Sequence, residues 1–260
     1  IYTGISAKDY MDGTSNFYGV HSVTLYVDSV QVFNSTTDKV LPDENRMING
    51  FTDYEELTRT RRLIMRSYKL PGNRLRLLHP NENRGALTID EERDYHFRYV
   101  LEDNFGNRRT YQFIVKGKRQ DIPEYKPEAN EMLYWNRTNV IQKPGMELVV
   151  PRYYVYEDVP LRTDMRGDSS HIAFDYILDA GRTPIHSYCD LSIGLRHMPV
   201  ADTTKYYIVQ KAGKWRSSMG GKYANGWIKT RVRSLGTFSV DVDTIAPVSY
   251  THLRAHETKA

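Results

Sequence analysis

Residues Tyr95–Val115 read YHFRYVLEDNFGNRRTYQFIV, and this stretch decides the fold class. Tyr95, Phe97, Tyr99 and Leu101 alternate with His96, Arg98, Val100 and Glu102. Asp103-Asn104-Phe105-Gly106-Asn107 then supplies a glycine-containing turn, after which Tyr111, Phe113 and Val115 alternate again. Side chains on a strand point to opposite faces with a period of two. Matching alternation on both sides of a turn therefore predicts a hairpin with one buried face.

Working outward, the same pattern recurs. His21–Phe33 alternates Val23, Leu25 and Val27 with Ser22, Thr24 and Tyr26, and Asp28-Ser29 predicts the turn of a second hairpin. Thr52-Asp53-Tyr54-Glu55 is a capping-box pattern that predicts one short helix, with Thr52 at the N-cap. Arg59, Arg61 and Arg62 fall near its C-terminal end, where cations suit the helix dipole. Asp121–Ala129 (DIPEYKPEA) has two prolines and no periodicity, and reads as a linker. Beyond it, Glu147–Pro151, Cys189–Ile193, Lys205–Val209, Trp227–Val232 and Gly236–Val240 are short β-rich segments bounded by turn signals. The expectation is an all-β chain of two immunoglobulin-like β-sandwich domains in tandem, residues 1–120 and 130–247, joined by 121–129, the first carrying a short helix.

Composition narrows the function. Of 260 residues, 40% are hydrophobic and 26% charged, enough for a globular core. The formal charge is +4, from 36 basic and 32 acidic residues that are interspersed, so no basic stripe marks a nucleic-acid surface. A single cysteine, Cys189, rules out an intrachain disulfide and a multi-cysteine zinc site. No apolar run reaches the ~20 residues of a membrane-spanning helix. The first residue is Ile1, so the chain is expected to be an internal fragment with its targeting signal upstream. Val248–Thr258 (VSYTHLRAHET) resembles one reading frame of a transposon-type sequencing adaptor of metagenomic assemblies. Residues 248–260 are accordingly expected to be an artefactual tail.

Motifs for catalysis are sparse. His171 and Asp175 lie four apart, close enough on one strand face to reach one zinc ion. Hydrolytic zinc needs a third protein ligand and an open water position, and His21, His79, His96, His186 and His197 are scattered singles. Asp9, Asp12 and Gly13 lack the spacing of a calcium loop. Glu91-Glu92 and Glu157-Asp158 are sequence neighbours, which on a strand face apart and cannot flank one bond. No nucleophile elbow or phosphate-binding glycine loop is present. The expectation is no catalytic residue and no metal ligand.

Aromatic residues are abundant, with 20 Tyr, 8 Phe and 3 Trp. Tyr153-Tyr154, Tyr206-Tyr207, and Trp215 with Tyr223 and Trp227 are candidates for a platform under sugar rings. Strand propensity alone also enriches aromatics, so exposure decides between the two readings.

Several segments in order carry a resemblance. They include Ala7–Gly13 (AKDYMDG), Leu25–Asp28 (LYVD), Asn49–Glu56 (NGFTDYEE), Pro71-Gly-Asn73 and Asp103–Asn107. His186–Ile193 (HSYCDLSI), Gly220–Trp227 (GKYANGW after Gly220), Leu235–Phe238 and Asp243–Pro247 continue the series. Together, over residues 1–247, they resemble the post-catalytic region of multidomain lysostaphin/LytM-type zinc metallopeptidases of Gram-negative bacteria. The family's catalytic domain carries His-x-x-x-Asp and His-x-His zinc ligands and cleaves peptidoglycan cross-bridges. That domain lies N-terminal to the matched region, so no ligand is carried over and no cofactor is expected in this fragment. The resemblance implies an accessory role, spacing, docking or regulating that catalytic domain, in the cell envelope, periplasmic or extracellular. The implied partners are the chain's own upstream catalytic domain and peptidoglycan or another envelope glycan.

Overall fold

The computed structural model describes residues 1–245 apart from 11, 12, 14, 125 and 169. The expected tail at 248–260, and Asp12 of the Asp9/Asp12/Gly13 group, lie outside the described residues.

Among the described residues the first half contains nine strands: β1 (Gly4–Ile5), β2 (Asp9–Tyr10), β3 (Phe17–Tyr18), β4 (Ser22–Val27), β5 (Val30–Thr36), β6 (Met65–Arg66), β7 (Leu78–Pro80), β8 (Asp94–Glu102) and β9 (Arg108–Lys116). Two short helices, α1 (Ile48–Phe51) and α2 (Tyr54–Thr60), lie between β5 and β6. The main sheet is antiparallel in the order β7-β5-β4-β8-β9, while β1 pairs with β6 and β2 with β3. The deciding hairpin is β8–β9, paired from Asp94↔Lys116 to Glu102↔Arg108. Its predicted face is the one packed inward: Tyr95, Phe97 and Tyr99 are buried with Val23, Leu25 and Phe33. Met47, Leu70 and Leu75, with Ile5, Ile48, Phe51 and Met65 around them, close over that face. The cover thins toward the edge strand β9, where Tyr111 is exposed although it shares the inward parity.

The predicted Asp28-Ser29 turn joins β4 to β5, with both residues at positive φ (48° and 71°). The helix start differs from the sequence expectation by one residue. Asp53, not Thr52, caps α2, its Oδ1 accepting from the Glu56 N–H at 3.1 Å. Thr52 is held in extended backbone by its bridge to Met65, and its buried hydroxyl has no hydrogen-bond partner. The pull of that bridge on the chain leaves Asp53 as the first residue whose side chain reaches the free N–H groups.

The second half is a sandwich of eleven strands: β10 (Glu131–Leu133), β11 (Asn139–Lys143), β12 (Met146–Val150), β13 (Val159–Arg166), β14 (Asp175–Asp179), β15 (Cys189–Gly194), β16 (Tyr206–Ala212), β17 (Trp215–Ser218), β18 (Lys222–Ala224), β19 (Trp227–Val232) and β20 (Gly236–Val242). One antiparallel sheet runs β10-β13-β14-β20-β16-β17, the other β11-β12-β15-β19-β18. Leu133, Leu148, Leu161, Leu178, Leu191, Ile193, Ile208, Ile228 and Phe238 are fully buried between them. Cys189 is part of this core, and burial pushes its thiol up to about 12. The chain is thus all-β, as the alternation predicts. No helix among the described residues is long and apolar enough to cross a membrane.

Candidate functional site

The outer face of the sandwich's five-stranded sheet, β11-β12-β15-β19-β18, carries a group of cationic and aromatic side chains. Ile228 and Val232 of β19 are buried, so Trp227, Lys229, Arg231 and, one step on, Arg233 stand on the opposite, solvent side. On β15 the buried Cys189, Leu191 and Ile193 turn Tyr188, Asp190, Ser192 and Gly194 to the same side. The register places Trp227 beside Gly194, Lys229 beside Ser192 and Arg231 beside Asp190. On the other flank Lys229 lies directly opposite Lys222 of β18. Among the described residues none makes an ion pair with Lys222, Lys229, Arg231 or Arg233. The guanidiniums of Arg231 and Arg233 lie 5.6 and 4.6 Å from the ring centre of Tyr188. The Trp227 ring lies against the bare backbone of Gly194: a Cβ placed there would sit 3.6 Å from two indole carbons. A shallow concavity is bounded by Asp190, Lys222, Lys229 and Arg231.

The three aromatics singled out from the sequence do not share one platform. Trp215 is the most exposed, at 81%, but it starts β17 at the edge of the other sheet. Tyr223 pairs with buried Ile228, so it has the inward parity of β18 and is exposed only as an edge residue. Trp227 alone stands on the outer face. Tyr206 is buried and donates to the Val200 carbonyl at 2.7 Å, while Tyr153 packs at a tilt beside Trp135. Spacing brought these residues close in number; the change of sheet between β17 and β18 separates them. The cationic row around Trp227 escaped the sequence reading because Lys229 and Arg231 alternate with inward-facing residues of β19 and Lys222 comes from another strand, β18.

His171 and Asp175 are engaged separately. His171 Nδ1 lies 3.0 Å from Asp168 Oδ1, and Asp175 Oδ1 lies 2.5 Å from Lys211 Nζ on β16. Hydrogen bonds from Ser170 and contact with His171 hold the Asp168 carboxyl down at about 2. Among the described residues no three His, Cys, Asp or Glu side chains are grouped to hold a metal ion. The neighbouring acids are likewise divided: Glu91 takes Arg93, Glu92 takes the Arg119 N–H, and Asp158 takes the Trp135 N–H.

Residues 130–243 match the family model of the Zu5-like domain. No curated protein and no solved structure matches the chain. The Zu5-like match covers the β-sandwich, including the whole cationic face, and points to a non-catalytic module of accessory or adhesion type.

The sandwich half meets the first half through the loop that carries Tyr156. Tyr156 follows buried Val155 and packs into the first half's core beside Met47 and Leu70. Its hydroxyl donates to the Arg46 carbonyl at 2.7 Å and lies 3.1 Å from His186 Nδ1. Burial first, and then the charges of Arg74 and Arg46, push the His186 imidazole below its usual value. The Gly72 N–H donates to the Tyr156 carbonyl at 2.7 Å. Gly50 and Gly72 leave the space: a Cβ on Gly50 would come within 2.8 Å of the Tyr156 ring, and one on Gly72 within 2.9 Å of its carbonyl oxygen.

Proposed function

We propose that this chain is a non-catalytic accessory region of a cell-envelope peptidoglycan metallopeptidase, spacing and docking a catalytic domain that precedes it in the parent protein. The observation that carries the reading is the Tyr156 joint, by which a side chain of the second half is buried in the core of the first. A stiff spacer holds a neighbouring domain at a fixed height and angle, which a flexible linker does not. The ordered series of segments from Ala7 to Pro247 and the Zu5-like match support the accessory role. In this reading zinc belongs to the preceding domain, and the location is the periplasm or cell exterior. Sequencing the parent gene upstream of Ile1 tests it. An adjoining domain with His-x-x-x-Asp and His-x-His motifs is expected, and an unrelated domain there would overturn it.

A second reading, a module that binds an envelope glycan, is favoured by the position of the half-buried Trp227 on the outer face beside Lys229 and Arg231. A flat indole offers an apolar surface to a sugar ring, and neighbouring polar groups orient its hydroxyls.

A further inference from the structure

We propose that the outer face of β15, β19 and β18 binds a linear polyanionic glycan, with Lys222, Lys229, Arg231 and Arg233 taking its acidic groups and Trp227 one sugar ring. The proposal rests on the glycan-binding reading above and gives that reading a site and a ligand charge.

Alternate residues on a strand are about 7 Å apart, so Trp227, Lys229 and Arg231 form a row along β19, and Arg233 follows in the bend just past its end. A row of regularly spaced cations matches a polymer carrying an acidic group on successive units, rather than a single small anion. Lys222 directly opposite Lys229 is a pairing that repels in the free protein, and a bound anion between the two ammonium groups would relieve it. The Tyr188 ring lies near two guanidiniums, which keeps both of them on this face. Ser192 and Asp190 lie beside Lys229 and Arg231 in register and offer hydrogen-bonding partners to sugar hydroxyls.

The aromatic content favours a glycan over a nucleic acid. Single-stranded nucleic acid is held by stacking successive bases on several rings. Here Trp227 is half-buried with one side against Gly194, and the exposed Tyr188 ring lies beside two guanidiniums, so the face offers two rings and not a series of them. Asp190 in the middle of the row would also repel a continuous phosphate backbone.

The test is affinity electrophoresis of the full chain through gels containing polygalacturonate, dextran sulfate, neutral dextran or single-stranded oligodeoxythymidylate. Retardation by polygalacturonate alone identifies carboxylated glycans, and stronger retardation by dextran sulfate identifies sulfated ones. Both support the proposal. Lys222→Glu and Lys229→Glu should each weaken retention at least tenfold, as should Trp227→Ala, while Lys214→Glu, in the turn between β16 and β17 of the other sheet, should leave it unchanged. Lys222→Glu should at the same time raise the Tm, because it replaces a repelling cross-strand pair with an attracting one. If either charge reversal unfolds the protein, Arg231→Gln with Arg233→Gln serves in its place. No retardation by either anionic glycan, retention unaffected by these variants, or equal retention by neutral dextran would overturn the proposal. Tighter retention by the oligonucleotide would replace it with a nucleic-acid surface. None of these failures touches the accessory role, which the upstream gene sequence decides separately.

Discussion

The Tyr156 hydroxyl donates a 2.7 Å hydrogen bond to the carbonyl oxygen of Arg46, across 110 positions of sequence and from one half of the chain to the other. The Tyr156 ring is buried in the first half's core while its backbone continues into the second half's β13. Tyr156→Ala should cost about 3–5 kcal/mol, the usual range for truncating a buried aromatic. Tyr156→Phe keeps the ring and should cost about 1 kcal/mol for the lost hydrogen bond. Gly50→Ala should destabilise by about 1–3 kcal/mol by crowding the same ring. Chemical denaturation of the three variants checks the order; equal small losses would show that the joint contributes little.

Proteolysis reads the same joint differently. Residues 121–124 and 126–129 form no strand and are mostly exposed, so a protease should cut there first. The two fragments should co-elute in gel filtration, because Tyr156 and the Gly72–Tyr156 bond cross outside the cut. In Tyr156→Ala they should separate. Separation of the wild-type fragments would mean that the halves are independent.

Acid should weaken the first half through Glu44. This buried carboxylate accepts from Arg76 Nε at 2.7 Å, Arg76 Nη2 at 3.0 Å and the Leu41 N–H at 3.1 Å. The Arg76 guanidinium foremost holds its carboxyl down at about 2. A carboxyl with a depressed folded-state value binds its proton more readily when unfolded, so it stabilises above its ordinary range and loses that contribution as pH falls toward 2. Wild-type Tm should therefore drop between about pH 4.5 and about pH 2 more steeply than that of Glu44→Gln. Parallel Tm profiles for the two would rule out Glu44 as a contributor.

The Asp28-Ser29 turn holds two non-glycine residues in left-handed backbone. Asp28 is also committed elsewhere, its carboxylate accepting from the His96 N–H at 2.9 Å and from Arg93 at 2.7 Å. Ser29→Gly should stabilise by about 1 kcal/mol, the cost of that conformation for an ordinary residue. Asp28→Gly should destabilise despite relieving the same strain, since it strips both hydrogen bonds. Thermal denaturation of the pair checks the opposite signs.

The chain alone should release no fragments from peptidoglycan when zinc is supplied. Zinc hydrolysis takes three fixed protein ligands and a bound water. His171 is turned to Asp168 and Asp175 to Lys211. Soluble-peptide release assayed by chromatography is the measurement, and release that vanishes in both His171→Ala and Asp175→Ala would defeat the accessory reading.

The hairpins were legible because alternation is a local rule: burying Tyr95, Phe97 and Tyr99 requires only that each strand keep its period. The helix was legible to within one residue. The bridge from Thr52 to Met65 moved its start, and nothing in Thr-Asp-Tyr-Glu announces a partner thirteen positions away. Aromatic abundance was legible too, but grouping Trp215, Tyr223 and Trp227 by proximity in sequence was not a guide to space, since β17 and β18 belong to different sheets.

By itself the sequence determined the all-β class, the positions of the main hairpins and which face of each strand is apolar, since those follow from side-chain period and turn chemistry between near neighbours. Only the tertiary structure decided that Tyr156 belongs to the core of the other half. The same holds for Lys222, which comes to stand against Lys229, and for Trp227, the one of the three singled-out aromatics that shares that face. These depend on which strands pair and which loop crosses, and pairing between distant segments is chosen by the burial of the whole molecule, not by any window of the chain.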